Sequence, residues 1–487
     1  MQTSELEYNY SVSKWFLTTM FLFAFLELLL NLTLALQTIY PNLNNLFGEY
    51  ATFGRLYRLH SNTLLYGFVL SAIFASWYYM AQHLLKVSLI ESKFLNFIAK
   101  FHFFSYLGVT LLSLLTLIVG ITTAKSYSEF EWPLDILFFI SWISWGLGIG
   151  IFIFMRREKS LYISIWYFLA TFISVSILFF VNNISIPTYF ITGVGDFWHS
   201  VSLFNGTSDA LLQSWFTHNG VELLLTFPLI AMLYYFLPKE SNLPIYSFKF
   251  ATFTFWTLLF LYFFSGAHHL IYSTIPDWMQ TISSLFAVLT LLPLWGIAIN
   301  FLLTIRGEWQ QIDTNPIIKF IIAAIIFFMF STLENAMHSI KSVDTLIHFT
   351  QWSYLNVYTL GWLSFISIAA TFHMLPRLLK KELYSKKMIT IQFWIQIFAL
   401  ILYSSSMWLS GILQGMILRA LDRYGNLAYP FIESVAILEP YNFLRVIALL
   451  LFLVGFLLFV YNFYKTLTHG HKIEKIELQN SSSITFR

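Results

Sequence analysis

The chain has 487 residues, of which 58% are hydrophobic and only 10% are charged. A water-soluble protein usually carries about 25% charged residues, so this composition excludes a soluble domain and predicts an integral membrane protein. The net charge of +3 gives no support to a nucleic-acid partner. The absence of cysteine excludes disulfides, thiolate metal sites and covalent c-type haem attachment.

Twelve apolar stretches are long enough for transmembrane helices, which need about 20 residues each. They lie near residues 15–37, 62–82, 102–123, 135–155, 161–181, 213–236, 247–271, 280–304, 316–332, 352–375, 389–414 and 442–464. No gap between them is long enough for a soluble domain. The predicted fold class is therefore all-α: one polytopic twelve-helix membrane domain over residues 1–467, with a polar cytoplasmic tail over residues 468–487. The first stretch lacks a small-residue cleavage site, so we expect it to be a retained helix.

The distribution of lysine and arginine predicts the orientation. If the N-terminus is cytoplasmic, the inner segments hold 20 of the 27 basic residues. Because cytoplasmic loops carry an excess of Lys and Arg, we expect both termini on the cytoplasmic side.

Four histidines fall at one depth near the outer face under this topology. His60 begins the second helix, His218 lies early in the sixth, and His268 and His269 close the seventh. An ionisable residue inside a membrane is costly and is by default a functional hypothesis. Three imidazoles suit copper, iron or zinc, and Tyr262 lies close enough in sequence to offer a phenol proton. The alternative is that each histidine only hydrogen-bonds a neighbouring helix, which is the commoner role of a single histidine.

Glu222 follows His218 by four residues, so on an α-helix the two side chains share one face. A carboxylate at that depth costs about 2.5–3.5 kcal/mol on insertion scales, so we expect a cation, a proton or a donor beside it. Of the remaining histidines, we expect four to be interfacial or in the tail, and four have no assigned role. The first set is His83, His199, His469 and His471; the second is His102, His338, His348 and His373.

Several segments together resemble the catalytic subunit I of cbb3-type cytochrome c oxidase, a member of the haem–copper oxidase superfamily. The similar segments are residues 54–60, 127–133, 218–219, 234–239, 266–270, 276–278, 331–334, 339–341 and 406–415. They occur in the family's order over essentially the whole chain. The resemblance implies a membrane enzyme that reduces dioxygen to water.

The resemblance also implies roles for individual residues. His60 would be an axial ligand of a low-spin haem b, and His218, His268 and His269 would hold the non-haem metal, which is copper in oxidases. Tyr262 would be the redox tyrosine cross-linked to His218. The other implied roles concern acids and a proton path: Glu129 and Glu131 near the haem propionates and a calcium ion, Glu334 near the reaction site, and Tyr246 and Ser247 at the start of the proton path.

Two departures from the family pattern bear on the activity. Asn356 and Tyr358 stand where the family has the two haem-binding histidines of helix 10. A tyrosine can bind ferric haem as a phenolate, as in catalase, whereas asparagine is a poor iron ligand. Glu222 stands where the related nitric oxide reductases carry a glutamate that binds a non-haem iron, and a hard carboxylate beside three imidazoles favours iron over copper.

Three functions follow from these features. The first is a terminal respiratory oxidase in the bacterial cytoplasmic membrane, with haem b, copper and electrons from c-type cytochrome subunits. The second is a nitric oxide reductase with iron bound by Glu222. The third is a haem-deficient paralogue with a metal-binding, assembly or interaction role. A transporter would show broken helices and paired half-sites, which this pattern lacks.

Overall fold

The structure is a computed structural model that describes residues 7–46, 48–193, 197–347, 350–351, 355 and 357–472. Within these residues, twelve helices are long and apolar enough to cross a membrane, which confirms the predicted all-α polytopic class. We number them α1 to α12: Ser11–Ile39, Phe53–Leu85, Lys93–Val119, Trp132–Met155, Ile163–Asn183, Gly206–Ser241, Phe248–Leu270, Asp277–Thr304, Pro316–His338, Val357–Leu379, Lys386–Arg419 and Phe431–His469. A short antiparallel sheet, β1 (Ser185–Pro187) with β2 (Ser200–Ser202), joins α5 to α6.

Several spans are longer than the apolar runs that predicted them, because polar residues continue the helix beyond the membrane core. α2 begins at Phe53 rather than near residue 62, so His60 lies on helical backbone. α12 ends at His469, inside the predicted tail. The tail from residue 473 onwards lies outside the described residues.

The chain divides into two compact units. The first comprises Met1–Glu27, Tyr50–Phe236 and Ser265–Asp277, and the second comprises Leu28–Glu49, Leu237–Phe264 and Trp278–Arg487. The boundary falls within α1, α6 and α7, so single helices contribute to both units. A single membrane domain over residues 1–467 stays a prediction.

The first unit has an aromatic core. Trp77 and Trp145 are fully buried with ring centroids 6.1 Å apart, and Phe168 lies 4.8 Å from Trp77. Large rings of this kind bury about 150–250 Å² each and dominate core packing. His102, also fully buried, has its Nδ1 atom 3.0 Å from the hydroxyl of Tyr78. His102 is therefore a hydrogen-bonded core residue.

In the second unit, a hydrogen-bonded pair joins the end of α6 to α10. His373 Nδ1 lies 2.6 Å from Glu240 Oε1, and Asn315 Nδ2 donates to the other carboxylate oxygen at 2.9 Å. His373 is 1% exposed, and buried charges persist only when they are paired and hydrogen-bonded. His373 thus fixes the end of α10.

Three spans contain π-helical turns, in which backbone hydrogen bonds run from i to i+5. These turns are Thr63–Val69 in α2, Phe216–Gly220 and Glu222–Thr226 in α6, and Val357–Leu363 in α10. Backbone groups inside a membrane must be satisfied within the protein; accordingly the Leu223 carbonyl accepts a hydrogen bond from Thr171 Oγ1 at 3.0 Å. π turns are rare and occur frequently at functional sites, and these coincide with the predicted site helices.

Candidate metal centre

Three histidines of the first unit converge on one point. His218, His268 and His269 each offer a ring nitrogen, and these atoms all lie within 4.8 Å of one another. The ring centroids of His268 and His269 are 4.3 Å apart, and that of His218 is 4.6 and 5.2 Å from them. His218 and His268 are buried. The predicted grouping of these three side chains is what the structure shows.

The distances fit one metal ion. His269 Nε2 lies 3.2 Å from His218 Nδ1. Two nitrogens bound to one ion at 2.0–2.1 Å in tetrahedral geometry lie about 3.3 Å apart. An all-imidazole set suits copper, zinc or iron, so the donors present fit the non-haem metal.

A glycine turn allows the adjacent His268 and His269 to face the same point. Gly266 has φ 121°, in the region that side chains disfavour. A Cβ atom there would also lie 2.9 Å from the Cα of Trp215. The Gly266 carbonyl accepts hydrogen bonds from Ser214 Oγ at 2.6 Å and from the His269 N–H at 3.1 Å. Glycine is thus required by backbone conformation and by close packing against α6.

A reciprocal pair of polar side chains ties the two histidine segments together. Asn219 Nδ2 donates to the Ser265 carbonyl at 2.9 Å, and Ser265 Oγ donates to Asn219 Oδ1 at 3.1 Å. Both residues are 2% exposed. The sequence analysis did not identify this pair; its only signal was an asparagine beside His218 and a serine beside Gly266.

Glu222 faces a partner on its own helix. Its Oε2 atom accepts a hydrogen bond from Thr226 Oγ1 at 2.7 Å. Among the described residues, the group that could hold a metal contains the three histidines and no carboxylate. Glu222 as a metal ligand stays a prediction.

His60 lies on α2 and contacts an acid on α1. His60 Nε2 is 3.3 Å from Glu27 Oε1, and both side chains are largely buried. Nearby, the ring of Phe23 packs closely against the α2 backbone at Gly67. A Cβ atom at position 67 would lie 2.7 Å from that ring. The sequence analysis missed Glu27, although an acid within an apolar helix was a visible signal.

Hydrogen-bond donors of the chain contact Glu129 and Glu131, the two acids predicted to lie near a calcium ion. Glu129 Oε1 accepts from Arg58 Nη1 at 2.8 Å, and Glu129 Oε2 accepts from Asn62 Nδ2 at 2.9 Å. Glu131 Oε2 accepts from Ser200 Oγ at 2.9 Å. In the part of the chain that the structure describes, these acids belong to no cluster that could hold a metal. Calcium near these acids stays a prediction.

A buried lysine lies in the same loop region of the first unit. Lys125 is 7% exposed and its ammonium group donates to the Asn182 carbonyl. Burial lowers the pKa of Lys125, while the charges of Asp209 and Asp135 act in the opposite direction. The charges of Asp209 and Asp135 thus favour the ammonium form of Lys125, against the effect of burial.

The Glu129 contacts predict a stability effect. We expect Glu129→Gln to lower the free energy of unfolding by about 1.5–3 kcal/mol, because it replaces a charged acceptor with an amide that turns an N–H toward a donor. Denaturant unfolding in detergent measures the change. Glu131→Gln is the matched control, since the Ser200 hydroxyl can rotate to accept from the new amide. Equal losses of unfolding free energy in both variants would contradict the larger stabilising effect expected of Glu129.

The predicted proton-path residues lie in the second unit. Tyr246 is 57% exposed and its N–H donates to Thr304 Oγ1 at 3.2 Å. The Ser247 N–H donates to Asn300 Oδ1 at 3.1 Å, and Asn300 Nδ2 donates back to the Ser247 carbonyl at 3.1 Å. Ser247 Oγ accepts from the Phe250 N–H, which caps α7. These contacts fix the backbone at the start of α7.

The remaining predicted site residues of this unit are buried. Glu334 is 4% exposed and accepts a hydrogen bond from Trp408 Nε1. Tyr262 lies on α7 and is 2% exposed, and Tyr358 lies in the π-helical turn of α10 and is 4% exposed. Asn356 lies outside the described residues.

Two further histidines also have partners. His338 Nδ1 lies 3.3 Å from Asp344 Oδ1, and His83 Nε2 lies 3.0 Å from the Tyr10 hydroxyl. His348 lies outside the described residues. The unassigned histidines that the structure describes, His102, His338 and His373, thus each contact a side chain of the same chain.

Comparison with known proteins places this site in context. The sequence profile of the family Cytochrome C and Quinol oxidase polypeptide I matches residues 11–451. The Cbb3-type cytochrome c oxidase subunit CcoN1 of Stutzerimonas stutzeri is 34% identical over 462 residues, covering 94% of this chain and 95% of the relative. The cytochrome c oxidase subunit 1 homolog of Agrobacterium tumefaciens (strain T37) is 34% identical over 450 residues, covering 92% and 81% respectively.

The fold is also similar to that of solved structures. The cryo-EM structure of a heme-copper terminal oxidase dimer matches with a TM-score of 0.72 at 16% identity, covering 94% of this chain and 84% of that chain.

Proposed function

We propose a respiratory function for this chain, which belongs to the Cytochrome C and Quinol oxidase polypeptide I family, the subunit I family of the haem–copper oxidases. Members of this family are membrane oxidoreductases. The proposed activity is that of a cbb3-type terminal oxidase, the reduction of dioxygen to water with electrons from a c-type cytochrome.

The observation that carries the proposal is the cluster of His218, His268 and His269. Their convergent nitrogens supply three ligands and leave a further position on one ion. A copper ion bound there would supply a redox centre with an open position for substrate. Nitrogen donors held by α6 and by the Gly266 turn would keep that geometry fixed.

Protons for the reaction would come from side chains of the second unit. Tyr246 and Ser247 are proposed as the entry, because Tyr246 is exposed and Ser247 lies beside the polar side chain of Asn300. Tyr262 and Glu334 are proposed as proton donors for the reaction. Both are buried, and a carboxylic acid or a phenol can act as a general acid.

We place the chain in the bacterial cytoplasmic membrane with both termini in the cytoplasm. The support is the lysine and arginine distribution and the twelve spans. Under this orientation the histidine cluster lies toward the extracytoplasmic side. The electron-donating subunits would be c-type cytochromes in the same membrane.

The residues fit the family's haem groups poorly. Of the three histidines that the resemblance assigns to haem iron, only His60 is present, and its Nε2 faces Glu27. Tyr358 and Asn356 replace the other two. This observation favours a second candidate, a paralogue that keeps the metal site and works in metal binding, assembly or interaction with partner subunits.

Haem content and dioxygen consumption separate the two candidates. A pyridine haemochrome spectrum of the purified complex with about two haems per chain, together with dioxygen uptake on addition of reduced cytochrome c, supports the oxidase. A protein that contains copper, contains no haem and consumes no dioxygen supports the paralogue.

Metal identity provides a test of the nitric oxide reductase alternative. We expect Glu222→Gln to keep the copper content of the wild type, because the Glu222 carboxylate bonds Thr226 rather than the histidine cluster. Elemental analysis of purified protein measures this. His269→Gln is the control that should lose copper. A wild type that holds iron, and a Glu222→Gln variant that loses it, would favour the reductase instead.

A further inference from the structure

The two-stranded sheet between α5 and α6 exposes its apolar face and turns its polar face toward the protein. Ile186 of β1 pairs with Val201 of β2, and the two side chains are 40% and 51% exposed. The alternate residues face the protein: Ser200 Oγ donates to Glu131, and Ser202 Oγ donates to Asp209 Oδ1 at 2.7 Å. A hairpin on a water-soluble surface turns its apolar face inward. This one turns its hydroxyl groups inward and its aliphatic side chains outward.

Further apolar side chains extend this outward face. Those exposed by 39% to 72% beside the strands are Tyr189, Phe190, Ile191, Phe197, Trp198 and Leu203. Together with Ile186 and Val201 they form what we call the hairpin surface. Between residues 184 and 205 the sequence contains no lysine or arginine and a single acid. An exposed apolar patch of this kind marks contact with a membrane or with another protein.

The hairpin surface is continuous with the lipid-facing side of the neighbouring spans. On α5, Ile173, Ile177 and Phe180 recur at helical spacing, each about half exposed, and end just before β1. At the start of α4, Trp132 Nε1 donates to the Phe197 carbonyl at 3.0 Å, with ring centroids 5.1 Å apart. These contacts hold the hairpin at the ends of two spans.

We propose that the hairpin surface lies in the headgroup region of the lipid bilayer and anchors the α5–α6 connection there. Continuity with the α5 stripe favours lipid over a partner subunit. The composition agrees, since tyrosine and tryptophan are enriched at membrane interfaces, where an amphipathic ring meets both water and hydrocarbon. The hydroxyl groups that water would otherwise solvate bond the acids of the first unit instead. This inference requires only that the chain spans a membrane, so it is independent of the proposed oxidase activity.

The absence of cysteine from the chain allows a direct test. Single variants Val201→Cys and Ile186→Cys of the full chain carry a nitroxide label in liposomes of phosphatidylcholine and phosphatidylglycerol. The collision rate of the nitroxide with dioxygen, which concentrates in lipid, is compared with its collision rate with a water-soluble nickel chelate. Ile177→Cys on the α5 stripe is the lipid reference, and Lys159→Cys in the exposed α4–α5 loop is the water reference.

We expect both hairpin labels to lose nickel accessibility and gain dioxygen accessibility relative to Lys159→Cys, and so to resemble Ile177→Cys. Nickel accessibility equal to that of Lys159→Cys would overturn the proposal. Labels accessible to nickel in liposomes but to neither reagent in native membranes would also overturn it, because a partner subunit would then cover the surface. Two independent positions guard against a single variant that fails to fold.

Discussion

Replacing His218 with alanine is expected to abolish stoichiometric copper binding by the purified chain. The three imidazole nitrogens lie within 4.8 Å of one another, and removal of one leaves two donors for an ion that prefers three or four. Loss of a group that merely orients a ligand costs about 10–100-fold in metal affinity, so loss of a ligand should cost at least as much. Elemental analysis after dialysis against a chelator of known affinity measures the effect.

His83→Ala is the matched control for this experiment. His83 contacts the Tyr10 hydroxyl rather than the cluster, so its replacement should leave the copper content unchanged. His268→Ala and His269→Ala should reproduce the loss seen with His218→Ala. Copper retained at wild-type stoichiometry in all three cluster variants would refute the metal centre, and so would an equal loss in the control.

Haem binding should increase when two side chains are changed together. We expect the double variant Glu27→Gln, Tyr358→His to bind about one more haem per chain than the wild type. Glutamine removes the charge that faces His60 Nε2, and histidine restores the second imidazole that the family resemblance assigns to the low-spin haem. A pyridine haemochrome assay gives the amount, and the visible spectrum reports a low-spin, bis-histidine iron.

Glu27→Gln, Tyr358→Phe is the control for the haem experiment. Phenylalanine keeps the ring of the buried Tyr358 but offers no ligand atom, so we expect no added haem. If the histidine variant also gains none while its melting temperature and helical circular dichroism match the wild type, then the haem pocket itself has been lost. That result would favour the haem-deficient paralogue over the oxidase.

The copper and haem experiments report on different side chains. The first depends on the three histidines of the cluster, whereas the second depends on Glu27, His60 and Tyr358. Copper binding with no recoverable haem is therefore a coherent outcome, and it would assign the chain a role in metal binding or assembly.

Features that depend on composition and local order were predictable from the sequence. The twelve spans follow from apolar runs long enough to cross a bilayer, because the hydrophobicity of each residue determines whether it is more stable in lipid or in water. The grouping of His218 with His268 and His269 followed from topology, since successive helices cross in opposite directions and bring these positions to one depth.

Only the tertiary structure decided which partner each polar side chain has. His218 and Thr226 both lie four residues from Glu222, and only the structure shows that Glu222 accepts a hydrogen bond from Thr226. The Glu27 contact with His60 depends on how α1 packs against α2, and the reversed faces of the hairpin depend on Ser200 and Ser202 finding Glu131 and Asp209. Hydrophobic patterning determines where helices lie relative to lipid, but hydrogen bonds and ion pairs form only at short range and in specific directions. Their partners are therefore decided by packing between segments distant in sequence.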